Sequence, residues 1–410
     1  MDFLPLRPSS ASRVRAFALV LAALCGPVAC KESPGPSTPD AGGNDGTAAT
    51  RAAVLSANGT CVLQTAREFL TQATALKAAV DGHAAQPDAT TREAARTAYH
   101  AAMDAWQVAE VMQVGPAATR GMPGGEELRD NIYSWPLVSR CAVEEQIVSR
   151  GYTAAGFPST LVTRRGLFAL EYLLFYEGAD TACPATSAIV SQGTWAALSA
   201  EERESRKRAY AAVVAADLQV RAQALVTAWD ASGGNFVNTL ASAGSGSTVY
   251  ATSQAALNAV SDALFYVDYE LKDLKLARPL GLRECSTATC PEYLESPFAR
   301  RSKANLRANV VGFRRLVEGC GANFEGTGFD DLLDASGATE LTATLRQRMA
   351  ALSASIDALP GQDLAVPLAQ DKASVRALYD SVKGVTDVLK TELVTVLDLE
   401  LPAKVEGDND

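Results

Sequence analysis

The sequence predicts an all-α protein of two helical bundles, with about four helices in each. Three observations carry this reading. Alanine and leucine are abundant in a chain that is 48% hydrophobic and 20% charged, a composition that favours helix. Nearly every long segment spaces its apolar residues three and four apart, and no run alternates as a half-buried strand would. Gly and Pro clusters then divide the chain into segments of helix length.

The first element, residues 1–30, reads as an export signal. Arg7, Arg13 and Arg15 form its basic region, and the apolar core Ala16 to Leu24 is too short to span a membrane. Gly26-Pro27-Val28-Ala29-Cys30 resembles the lipobox of bacterial lipoproteins, so a lipid is expected on Cys30, with ordinary cleavage nearby as the alternative. The Pro/Gly/Ser-rich residues 31–50 read as a flexible tether. Anchor and tether make the membrane a partner and place the chain in the cell envelope, facing the periplasm. Lys31 is unlike the aspartate of the enteric retention signal, which favours the outer membrane.

The first bundle is expected over residues 51–192. Leu63, Phe69, Leu70, Leu76 and Val80 mark a helix stopping near Asp81-Gly82. Thr90 with Glu93 reads as a capping box for a second helix, through Tyr99, Met103, Trp106 and Val111 to Gly115-Pro116. A short helix follows through Val143 and Ile147, and another starts near Thr160. The second bundle is expected over residues 193–405, with helices at 201–229, 250–277, 298–317, 340–359 and 366–399.

Net charge is −10, so a phosphate-backbone partner such as nucleic acid is not expected. Beyond Cys25 and Cys30, six cysteines remain, an even count that suggests disulfides in an exported chain. Fifteen connectivities are open for six cysteines. A local bridge is plausible between Cys285 and Cys290, across Ser286-Thr287-Ala288-Thr289. There is no H-E-x-x-H, G-x-S-x-G, P-loop or dinucleotide fingerprint.

Glu171 is the most telling acid. It is the single carboxylate in the apolar segment Arg164 to Phe175, where burial without a partner would cost several kcal/mol. On one continuous helix Arg164, Phe168, Glu171 and Phe175 would share a stripe, with Arg164 reaching toward Glu171. Trp106 and Glu110 share a second face ahead of Gly115-Pro116. His100 and Asp104 are four apart, a spacing that more often marks a solvated face than a ligand pair. Ser296 suits a helix N-cap with Pro297 at the first helical position, and Arg300, Arg301 and Ser302 beside that terminus would suit an anion.

These segments together resemble the imelysin family. Gly166, Glu171 and Tyr172-Leu173-Leu174-Phe175 match its G-x-H-x-x-E region in the G-L-x-A-L-E-x-L-L-F variant, with Phe168 at the histidine position. Trp106 and Glu110 before Gly115-Pro116, Trp135-Pro136-Leu137, Tyr269 to Gly281, and Glu295-Ser296 with Ser302 match further motifs, over residues 55 to 400. The resemblance implies a cleft between the two bundles. Arg164, Gly166, Phe168, Glu171, Ser296, Arg301 and Ser302 would line a ligand site there. Glu110 and Glu171 would offer oxygen ligands to a metal ion, iron or another divalent cation. The expected function is capture of a metal ion or small ligand in that cleft by an envelope lipoprotein, in iron uptake. The alternatives are an imelysin-type metallopeptidase, which Phe168 argues against, and a structural or interaction protein with a degenerate cleft.

Overall fold

A computed structural model describes residues 45–405, and these are helices, turns and loops without a strand. The export signal, Cys30 and most of the tether lie outside the described residues. The helices are α1 (Asp45–Ala85), α2 (Ala89–Glu110), α3 (Leu128–Ile132), α4 (Arg140–Ser149), α5 (Gly166–Phe175), α6 (Ala188–Ser191), α7 (Ala200–Trp229), α8 (Phe236–Ala241) and α9 (Ser253–Leu264), then α10 (Ser302–Glu318), α11 (Phe329–Ala335), α12 (Thr339–Ala358), α13 (Ala365–Gln370), α14 (Lys372–Val388) and α15 (Val394–Leu397). A π-helical segment, Val267–Ala277, lies between α9 and α10, and a shorter one, Leu389–Leu393, joins α14 to α15. No helix among them is long and apolar enough to cross a membrane.

Two sets of helices pack side by side. α1 lies along α2 and α7, and α5 fills the space against α7 and α2. In the other set α12 packs on α14 and α10, and the longer π-helical segment packs on α14 and α10. The sets meet where α2 packs on α10 and where α1 packs on α11 and α9. α7, counted from sequence with the second bundle, packs on α1, α5 and α3 of the first.

Local chemistry explains the element ends. Asp88, not Thr90, caps α2: its carboxylate accepts the Thr91 N–H at 2.8 Å, and the Thr91 hydroxyl accepts the Asp88 N–H. The helix expected to stop near Asp81 continues to Ala85, because Val80 and His83 remain buried. The expected 250–277 helix breaks at Phe265 and resumes in π geometry, where inserted residues commonly sit at functional positions. The expected 366–399 helix is broken near Asp371 and again in the Leu389–Leu393 π-turn.

Three disulfides are formed. Cys285–Cys290 is the expected local bridge, Cys141–Cys183 ties α4 to a loop, and Cys61–Cys320 fastens α1 to the end of α10. Such a set fits an oxidising compartment. Where α2 meets α10 the contact is backbone on backbone: a Cβ on Gly312 would sit 2.3 Å from the Val108 carbonyl oxygen. Gly312→Ala is therefore expected to push the two helices apart and cost about 1–3 kcal/mol. Urea unfolding of the variant checks this, and an unchanged midpoint would mean that the helices can slide at no cost.

Candidate functional site

α2, α10, the loop at Glu295 and the longer π-helical segment converge on a buried charge network. Lys275 is its centre. Its Nζ donates to Gln107 Oε1 at 2.7 Å and Asn309 Oδ1 at 2.9 Å, and lies 2.9 Å from Glu295 Oε2 and 3.6 Å from Glu110 Oε2. Glu110 also accepts from Arg129 Nη2 at 2.5 Å and from the Tyr266 hydroxyl at 3.0 Å. Glu295 accepts from Gln107 Nε2 at 3.0 Å. Two carboxylates face two cations, which is what makes such a burial tolerable.

Glu171 lies beside this network on α5, whose residues Gly166 to Leu174 are all buried. The helix can start where it does because Gly166 has φ +75° and a Cβ there would meet the Ile132 carbonyl at 2.5 Å. Glu171 Oε1 accepts the backbone N–H groups of Phe298 at 2.8 Å and Ala299 at 3.0 Å. The buried Tyr99 hydroxyl stands at the Glu171 carboxyl as its side-chain neighbour, and the buried Tyr133 hydroxyl has no hydrogen-bond partner among the described residues. Burial pushes the Glu171 carboxyl up to about 7 against the pull of the two N–H groups, and the Glu295 charge adds to the rise. The same burial, with carboxylate neighbours that include Glu171, holds both tyrosines well above the ordinary phenol range.

Phe168 is buried one turn before Glu171, its ring 6.2 Å from that of Phe298. Tyr172 and Tyr176 flank Phe298 on edge at 5.4 Å each. These rings fix the residue whose N–H group Glu171 holds.

A cleft of about 780 Å³ opens between α2 and α10. Ala299 belongs to its wall, so the backbone that binds Glu171 on one side faces the cleft on the other. Arg301 forms the inner wall. It is buried, and its guanidinium donates to Asn305 Oδ1 at 2.8 Å, to the His100 carbonyl at 2.9 Å and to Asp104. His100 Nδ1 lies 3.0 Å from Arg301 Nη1 and so is the accepting nitrogen. Burial and the adjacent Arg301 charge lower the His100 pKa, keeping it neutral at pH 7. Arg300 and Arg307 stand more exposed at the rim, near Asp363 and Asp357. The floor between them is apolar, with Ala105, Val108 and Ala304.

The family model described as imelysin, of the peptidase M75 class, matches residues 62–389. The chain belongs to the imelysin family. It is 28% identical over 251 residues to Iron-regulated protein A of Synechococcus elongatus, a match spanning 60% of this chain and 58% of that relative's length. The solved structure of an imelysin-like protein from Psychrobacter arcticum superposes with a TM-score of 0.66 at 18% identity, covering 87% of this chain and 98% of the other. A Parabacteroides distasonis structure superposes with a TM-score of 0.63 at 16% identity, covering 84% and 94%.

As an imelysin, the chain departs from a hydrolytic metal centre in its donor set. Phe168 has no donor atom, Glu110 is held by Arg129, Tyr266 and Lys275, and His100 turns Nδ1 to Arg301. Among the described residues, one group of three or more ligand-type side chains comes within reach of a common ion, Cys141, Glu145 and Cys183, and its cysteines are disulfide-bonded. These residues do not assemble the three protein ligands and open position of a catalytic zinc.

Other expected site residues fall elsewhere. Arg164 is not on the signature helix; it sits in a 3₁₀ turn and pairs with Glu145 at 3.9 Å instead of reaching Glu171, because the helix starts only at Gly166. Ser296 is not the N-cap of the next helix. It has φ +54° and its hydroxyl accepts from Asn305 at 3.0 Å, while α10 starts six residues later, at Ser302. Ser302 donates to Asp363 at 2.5 Å and accepts the Leu364 N–H at 2.8 Å, tying α10 to the loop before α13. His100 and Asp104, read as a solvated pair, both hold Arg301, which comes from the other set of helices. The i,i+4 spacing was the only signal available for them.

Proposed function

We propose that this imelysin is an envelope ligand-binding protein that takes a small anionic ligand in the cleft between α2 and α10. The observation that carries the reading is Arg301, a buried guanidinium fixed by His100, Asp104 and Asn305 in the wall of a cleft of drug-ligand size. Its partners take four of the five guanidinium N–H groups and hold the remaining Nη2–H in a fixed direction, which suits one carboxylate oxygen, and Arg300 and Arg307 stand at the rim. The name of the Synechococcus relative directs the choice of ligand to iron supply, so an anionic ferric carboxylate chelate is the first candidate. The three disulfides support an envelope location. Each cleft arginine has an aspartate beside it, so the reading rests on the geometry of Arg301 and not on net charge, and no donor arrangement among the described residues favours the peptidase reading.

Titration calorimetry with ferric citrate and with citrate alone tests this. Saturable binding is expected, weakened at least about tenfold in Arg301→Lys, which keeps the charge but loses the fixed Nη2–H. The exposed double variant Arg300→Ala/Arg307→Ala should bind more slowly, with a flatter salt dependence. Absence of saturable binding by either compound, or native affinity in Arg301→Lys, would overturn the proposal.

A further inference from the structure

A second cavity, of about 420 Å³, opens between the turn at Pro136-Leu137 and the longer π-helical segment. Its chemistry is opposite to that of the arginine cleft. Glu270 lines it, is 8% exposed, and leaves Oε2 buried without a hydrogen-bond partner among the described residues. Asp130 and Glu127 line the same space. The cations in the lining are ion-paired, Arg129 with Glu110 and Asp130 and Arg278 with Glu284, although Arg129 keeps its Nε–H unpaired among the described residues. The remaining wall is mixed: Ala117, Pro136, Leu137 and Leu274 are apolar, Gln113, Thr119 and Ser134 are polar, and the half-exposed ring of Tyr269 stands at one side.

The chain itself shows what this place accepts. The Lys404 ammonium lies 3.5 Å from Glu270 Oε1 and 5.7 Å from the centroid of the Tyr269 ring. That contact pairs a carboxylate with an aromatic face around one ammonium, a combination suited to cationic nitrogen. It leaves Oε2 free toward a donor. A buried carboxylate oxygen without a partner is costly, so an arriving N–H group gains the energy that the empty arrangement forgoes.

The geometry points to a second binding site in this cavity, for a small primary amine with an apolar tail, its ammonium on Glu270 and its tail along Leu137 and Leu274. The site is independent of the arginine cleft, and it would hold whether or not the cleft takes a carboxylate. Lys404 acts as an internal competitor that the amine displaces.

Calorimetry on the full chain tests it, with n-butylammonium as probe and n-butanol as its uncharged counterpart. The amine is expected to bind saturably with a Kd of about 1 mM or tighter, and the alcohol much more weakly. Glu270→Gln should weaken the amine at least tenfold while keeping the native far-UV spectrum. Lys404→Ala, on a partly exposed side chain, should tighten it severalfold by removing the competitor, and Arg301→Lys should leave it unchanged. No saturable heat with the amine, equal binding of the alcohol, native affinity in Glu270→Gln, or weaker binding in Lys404→Ala would each overturn the proposal.

Discussion

Lys275→Met is expected to be among the most damaging single replacements in the protein, lowering stability by about 3–5 kcal/mol. The side chain is 2% exposed, and among the described residues its ammonium is the one cation in contact with Glu295. Methionine fills the same volume but leaves Glu295 buried with one hydrogen bond from Gln107, and leaves Glu110 with Arg129 and Tyr266 alone. It also strips a donor from Gln107 and Asn309. Folded domains have roughly 5–15 kcal/mol to lose, so the urea midpoint should fall steeply. Adding Glu295→Gln to Lys275→Met should recover part of the loss, because the orphaned charge goes with it. A midpoint unchanged in the single variant would show that the carboxylates find other counter-charges.

Glu171→Ala is expected to cost about 2–4 kcal/mol at pH 5, since it strands two buried N–H groups, those of Phe298 and Ala299. Glu171→Gln keeps an oxygen for both donors and should cost little. The two can be separated further by pH. The folded carboxyl titrates at about 7 against an ordinary value of 4.5, so the folded state holds its proton more tightly than the unfolded one. That stabilisation is complete below about pH 4.5 and is lost as pH rises through 7, an amount of about 3 kcal/mol. Relative to Glu171→Gln, the native protein should therefore be more stable at pH 5 than at pH 8 by roughly that much. Melting temperatures of both proteins at the two pH values decide it. A gap that does not move with pH would mean that Glu171 ionises as an ordinary glutamate.

What could be read ahead of the structure follows from how local each signal is. Glu171 stood out because an acid in an apolar helix must be held by something, and it is held. Its partners were invisible because they are backbone N–H groups more than a hundred residues away, which leave no mark in side-chain pattern. Helix bodies were legible from apolar spacing, and α7 falls within a residue of its expected bounds. Helix interruptions were not: Phe265 and the residues after it keep an apolar face, so periodicity passes smoothly over the change to π geometry. His100 and Asp104 look like any exposed pair until Arg301 arrives from α10, and Ser296 reads as a cap until its left-handed backbone is seen. The family resemblance marked Lys275 and Glu295 as belonging to motifs, but their pairing across the fold is a tertiary fact.

The Cys61–Cys320 bond closes a ring of chain with a sequence separation of 259 residues, and the largely exposed Gly/Ser turn at 244–248 lies on that ring. A protease that cuts this stretch opens the ring without releasing either piece. The nicked molecule keeps its mass until a reductant reaches the sulfurs, so in a compartment rich in proteases and poor in thiols a severed copy of this protein stays on as a whole particle.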